Sequence, residues 1–213
     1  MTTLATMIDR IAREVRRSNI NTQIEEAIYT AIDHYQGERF WFNVSREMTF
    51  DSVVDQEFYT STDDADIGLI EKIDYVKLEL DDDQVVRLWE VTPERVEELS
   101  EQGTQTGEPR YYTFYDKRFR LYPVPDEVYT VRVGGVIKVA APATSGETGN
   151  PWMVEAEKLI RMRAQFELFA HVIVDTERAQ IASGAADEIL TRLKIRTSNK
   201  VQTGGWSVTP TDF

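Results

Sequence analysis

The stretch TQIEEAIYTAIDHYQGERFWFNVSREMTF, Thr22–Phe50, decides the fold class. In its first half, apolar residues return every three or four positions: Ile24, Ala27, Ile28, Ala31, Ile32 and Tyr35. That period sets them on one face of a helix. Thr22 and Glu25 have capping-box spacing at its start, and Gly37 is placed to end it. From Phe40-Trp41-Phe42 onward the period becomes two, with Val44, Arg46, Met48 and Phe50 alternating with polar residues as in a strand.

Upstream, Leu4, Met7, Ile8, Ile11 and Val15 predict a further helix, broken by Ser18-Asn19-Ile20-Asn21. The short connection favours an antiparallel neighbour. Downstream, Tyr75 to Leu80 and Val85 to Glu90 read as strands, and Thr92-Pro93-Glu94 starts a short acidic helix. Tyr111 to Tyr115 and Phe119 to Tyr122 form a hairpin turning at Asp116-Lys117. Val128 to Val139 is another strand, in which Gly134-Gly135 marks a bulge or bend. After a small-residue linker, Asn150-Pro151 opens a third long helix and Asp175 caps a fourth. The expected fold is α+β. A four-helix bundle forms from helix pairs at 1–43 and 140–196, with a β-rich insert at 44–139 and an extended arm at 197–213. Ile24, Ile28, Ile32, Trp152, Leu159, Phe166, Ile189 and Leu193 are the expected bundle core.

Composition narrows function by exclusion. The 213 residues include no cysteine, which removes disulfide scaffolds and cysteine-ligated metal sites. No apolar run approaches the roughly 20 residues of a membrane span, and Met1 to Arg17 lacks the apolar block of a signal peptide. A soluble protein of a reducing compartment is expected. His34 and His171 are the only histidines; His171 and Asp175 stand one helical turn apart, but two ligands make a poor metal site. Gly103 to Gly107 lacks the Lys-Ser/Thr of a phosphate loop, and no nucleophile-elbow motif occurs. Neither enzymatic activity nor a cofactor is expected.

The net charge of −13 has one source. Residues 51–101 hold 17 acidic residues against Lys72, Lys77, Arg87 and Arg95, and the rest of the chain balances. The densest acids are Asp63, Asp64 and Asp66, then Asp81, Asp82 and Asp83, then Glu94, Glu97 and Glu98. Such a run serves as a solvated face, as a surface that must not hold a phosphate backbone, or as one that meets a basic partner. Sequence-reading DNA binding needs the opposite sign. Arg192, Lys194, Arg196 and Lys200 precede an aperiodic polar tail containing Trp206 and Phe213. Aromatics there are either incidental to a loose terminus or anchors of an arm that orders on another subunit.

Taken in order, these pieces resemble the head-to-tail adaptor, or head completion, proteins of tailed bacteriophages, especially short-tailed ones. The resemblance covers most of residues 1–196. It rests on the paired N-terminal helices, Arg39-Phe40-Trp41-Phe42 at their exit, Gly107-Glu108-Pro109-Arg110-Tyr111-Tyr112, Phe119-Arg120-Leu121-Tyr122-Pro123-Val124-Pro125-Asp126, and Trp152 opening the C-terminal helix pair. It implies a structural virion protein at the head–tail junction, made in the cytoplasm of the bacterial host. It further implies a ring, taken as dodecameric, docked under the portal protein. C-terminal arms with Arg196, Lys200, Trp206 and Phe213 would reach the portal, and the β-rich insert would face tail or nozzle proteins. Double-stranded DNA would pass through without sequence-specific binding, and no membrane is involved. The acidic run would line the channel or meet a partner. A tail-completion or stopper protein, a generic acidic intracellular binding protein and a hydrolase with hidden carboxylates are the competing readings.

Overall fold

The computed structural model describes residues 2–80, 84–101, 103 and 105–201. In chain order the elements are α1 (Leu4–Val15), α2 (Asn21–Tyr35), β1 (Val44–Asp51), β2 (Phe58–Tyr59), a 3-10 turn (Ala65–Leu69), β3 (Ile70–Glu79), β4 (Val85–Glu90), α3 (Pro93–Ser100), β5 (Tyr111–Tyr115), β6 (Arg118–Tyr122), β7 (Thr130–Ile137), α4 (Pro151–Val154), α5 (Glu157–Glu167), a π-helical segment (Leu168–Ile173) and α6 (Thr176–Val201). They divide into two compact units. One is drawn from the chain up to Phe42 and from Val139 onward, and the other is Asn43–Lys138.

The helical unit is organised by α5, which packs on α1, α2 and α6. Ile24, Ile28, Ile32, Trp152, Leu159 and Leu193 are buried in its core, with Phe166 and Ile189 partly buried at the margin. Trp152 is fully buried, edge-on to Phe40 and Phe42. Its Nε1–H donates to the Val139 carbonyl at 3.0 Å. Gln36 pairs with both backbone groups of Val139, donating from Nε2 to the carbonyl at 2.8 Å and accepting from the N–H at 3.2 Å. Arg161 ties α1 to α5 by pairing with Glu14 and with Glu157.

The capping box falls on a different helix from the one expected. α2 begins at Asn21 behind Ile20, which has no side-chain acceptor and is instead almost fully buried. Burial of an apolar residue outweighs a cap worth about 1 kcal/mol. The reciprocal box occurs at α1, where the Thr3 hydroxyl accepts from the Thr6 N–H at 3.2 Å and the Thr6 hydroxyl from the Thr3 N–H at 2.8 Å.

The fold class is α+β, but a four-helix bundle with a β-rich insert does not describe it. The expected third helix is interrupted at Glu155-Ala156, then widens into the π-helical segment. Each break changes the face presented, so Trp152 to Ile173 is no single stripe. α6 continues through Val201. The Asn43–Lys138 unit is a seven-stranded sheet with its own core, in the order β1-β7-β3-β4-β5-β6-β2.

In that sheet β4 and β5 pair in parallel, joined by α3, and the other neighbours are antiparallel. Asp116 and Lys117 both take positive φ, 51° and 56°, as a two-residue hairpin of right-handed twist requires. Residues Met48, Phe50, Val76, Leu78, Leu88, Tyr112, Phe119, Leu121, Val131 and Val133 fill the core from one face. Next to Gly134-Gly135 the register is irregular in the pairing with both neighbours, with β3 between Ile70 and Lys72 and between Ile73 and Tyr75, and with β1 between Ser45 and Met48. A Cβ on Gly135 would stand 2.0 Å from the Lys72 carbonyl oxygen, and one on Gly134 2.3 Å from the Tyr75 ring. The chain enters on β1 and leaves on β7, its immediate neighbour, and the Ile137 N–H donates to the Asn43 carbonyl at 2.8 Å.

Candidate interaction surfaces

The acidic residues singled out above occupy two separate elements. Asp63 accepts from the Thr60 N–H at 2.7 Å and from Gln56 Nε2 at 2.8 Å. The backbone N–H of Thr60, then the Gln56 amide, holds its carboxyl below the ordinary carboxylate value. Asp64 caps the 3-10 turn, accepting from the Asp66 N–H at 2.9 Å, and Asp66 is exposed. Glu94, Glu97 and Glu98 are exposed on α3, which Thr92 caps and Val96 anchors. Glu98 pairs with Arg95 at 2.7 Å. Asp81, Asp82 and Asp83 lie outside the described residues.

Arg196 and Lys200 are brought together. Both lie over the Trp41 ring, at 4.4 Å and 4.3 Å from its centroid, and Arg196 also pairs with Glu155 at 3.8 Å. Lys194 pairs with Glu38 at 2.8 Å, so three cations on the last turns of α6 hold it to the exit of α2. Trp206 and Phe213 lie outside the described residues. His171 is 3.4 Å from Glu167, and His34 stands edge-on to Tyr35. Among the described residues no group of three or more His, Asp or Glu side chains is placed to hold a metal ion, and no helix is long and apolar enough to cross a membrane.

Two surfaces escaped the sequence reading. The first is on α6 and the corner before it. Val172, Val174, Ile181 and Ile195 are exposed, Val174 by 76%. Ile181 and Ile195, two heptads apart, share one side of the helix. Val174 is left-handed at φ 59°, a conformation costly for a β-branched residue. The second lies on the face of the sheet opposite its core. Strand register there aligns Phe58, Arg120 and Thr113 across β2, β6 and β5, with Arg118 opposite Tyr115. Phe58, Glu97, Tyr115, Arg118 and Arg120 help line a cleft of about 270 Å³. The signal was the alternation of Arg118 and Arg120 against Thr113 and Tyr115, visible only once the strands are paired.

Exposed apolar positions on one unit and an aromatic–arginine cleft on the other are surfaces suited to contact with other chains. The chain belongs to the SU10 adaptor protein family, which it matches over residues 2–208. It is a bacteriophage adaptor, a virion component associated with other head or tail proteins. Among curated proteins none matches it.

Proposed function

We propose that copies of this chain form a ring, of twelve subunits, beneath the portal of a short-tailed phage, joining the DNA-filled head to the tail and forming part of the DNA channel. Within the adaptor family, the observation that carries this reading is the exposed Val172, Val174, Ile181 and Ile195 on and beside α6. Apolar side chains left wet in a single copy suit a heterologous, ring-closing contact with a neighbour. In this reading the last turn of α6 is held on Trp41 by Arg196 and Lys200, and residues 202–213, with Trp206 and Phe213, are the arm that engages the portal. The exposed carboxylates of the sheet unit face the channel or a partner. They suit a conduit, because a phosphate backbone slides past carboxylates rather than binding them.

Mass measurement of the purified protein with and without its portal tests the ring. A portal-dependent species of about twelve copies per portal ring supports it, and a protein that remains monomeric with portal present overturns it. Truncation after Lys200 is expected to abolish portal binding while leaving the melting temperature unchanged. Unchanged binding would remove the arm from the proposal.

A further inference from the structure

We propose that the outward face of the sheet is a docking surface for a carboxylate-rich, aromatic-bearing segment of a different protein. The Asn43–Lys138 unit holds 22 acidic residues and 11 basic ones, yet the outward ladder positions invert that ratio. Register aligns Arg132, Lys77 and Arg87 across β7, β3 and β4, and Arg118 and Arg120 follow on β6. The acids at the same positions are Asp51 and Glu79. Glu79 pairs with Arg132, Asp51 accepts from the Thr130 hydroxyl, and Glu57 takes Arg120 at 2.5 Å. Lys77, Arg87 and Arg118 have no carboxylate partner among the described residues. Like charges set side by side across strands destabilise a sheet, so this arrangement needs another reason to exist.

Aromatic rings complete the surface. Arg87 lies over Trp89 at 5.3 Å, and Arg118 over Phe58 at 5.6 Å. Trp89 is 60% exposed and Tyr115 75%. A guanidinium over a ring still has N–H donors free for a carboxylate, while exposed rings take apolar side chains. A nucleic acid is the other polyanion such a surface could meet, and the oligonucleotide probe below tests it. A second copy in a two-fold contact is disfavoured because this face would set its own unpaired cations, Lys77, Arg87 and Arg118, against their copies.

The test uses the full chain and three labelled probes: a synthetic peptide alternating Glu and Tyr, the same peptide with Gln for Glu, and a single-stranded thymidine oligonucleotide. The Glu–Tyr peptide is expected to bind with an affinity that falls as salt rises. It is expected to bind at least about tenfold more tightly than either other probe, and to lose about tenfold with Arg87→Glu plus Arg118→Glu. Both side chains are exposed, so the variant should melt as the parent does; if it does not, amide shift mapping of the peptide on the parent chain replaces it and must report β4, β5 and β6. Equal binding of the Gln peptide, tighter binding of the oligonucleotide, shifts confined to α6, or a change of self-association as the only effect of the variant would each overturn the proposal. Portal-dependent assembly is expected to survive the double variant, so failure of the ring reading and failure of this one are read separately.

Discussion

Gly135 has a carbonyl oxygen where a side chain would begin. The Lys72 oxygen stands 2.0 Å from the place of its Cβ, and that oxygen belongs to backbone that cannot swing aside. Gly135→Ala is expected to cost on the order of 3 kcal/mol or to prevent the sheet unit from folding, read by urea denaturation. The sequence marks Gly134-Gly135 as exceptional, but one strand cannot say which neighbour yields, and both β1 and β3 are irregular beside it. Trp152 reads from the sequence as part of an apolar stripe with Leu159 and Phe166, and in the structure it is fully buried. Trp152→Phe is expected to cost about 2 kcal/mol rather than the roughly 4 of Trp152→Ala. The Val139 carbonyl that it leaves keeps its bond from Gln36, so no buried acceptor is orphaned. Tyr112 carries a pH dependence. Burial, then the charge of Glu90, pushes its hydroxyl up to about 12. A raised acid of this kind contributes its full stability below the ordinary tyrosine value near 10, and that stability is lost as pH rises toward 12. Burial also raises Tyr29, Tyr35, Tyr59 and Tyr129, so ultraviolet titration is expected to show several late tyrosines, one fewer in Tyr112→Phe, with stability falling between those values.

Three helix starts announced by local chemistry came out where the sequence placed them, at Thr92-Pro93, Asn150-Pro151 and Asp175, each a side-chain acceptor that caps a helix, whereas the Thr22–Glu25 capping box did not form. The two-residue strand β2, the 3-10 turn and the π-helical segment were not legible, since each is set by what packs against it. Val174 belongs with these. Val174→Asn is expected to raise the melting temperature, because asparagine accepts the left-handed conformation that valine resists. The same change is expected to weaken portal-dependent assembly if the exposed valine is kept for a neighbour. The far end of α6 makes a second prediction. Trp41→Ala removes the ring beneath Arg196 and Lys200, at about 1 kcal/mol for the pair of contacts, and proteolysis is expected to reach into residues 194–201. The clamp was hidden from sequence because its members lie at opposite ends of the chain.

For the whole molecule, the sequence carried the class and the family resemblance but not the architecture. Helical and strand periods are countable, whereas the order β1-β7-β3-β4-β5-β6-β2, with one parallel junction, depends on partners far apart in the chain. The aromatic–arginine cleft was invisible for the same reason, since Phe58 is more than fifty residues from Arg118. The sheet unit is contributed by one unbroken stretch whose first and last strands lie side by side, with Asn43 bonded to Ile137. Entry and exit so close together make the stretch a removable cassette. A short Gly-Ser bridge across that gap should leave the remaining helices folded, and the excised piece should fold by itself. Phages could therefore trade this module by a single recombination without redesigning the part that stays.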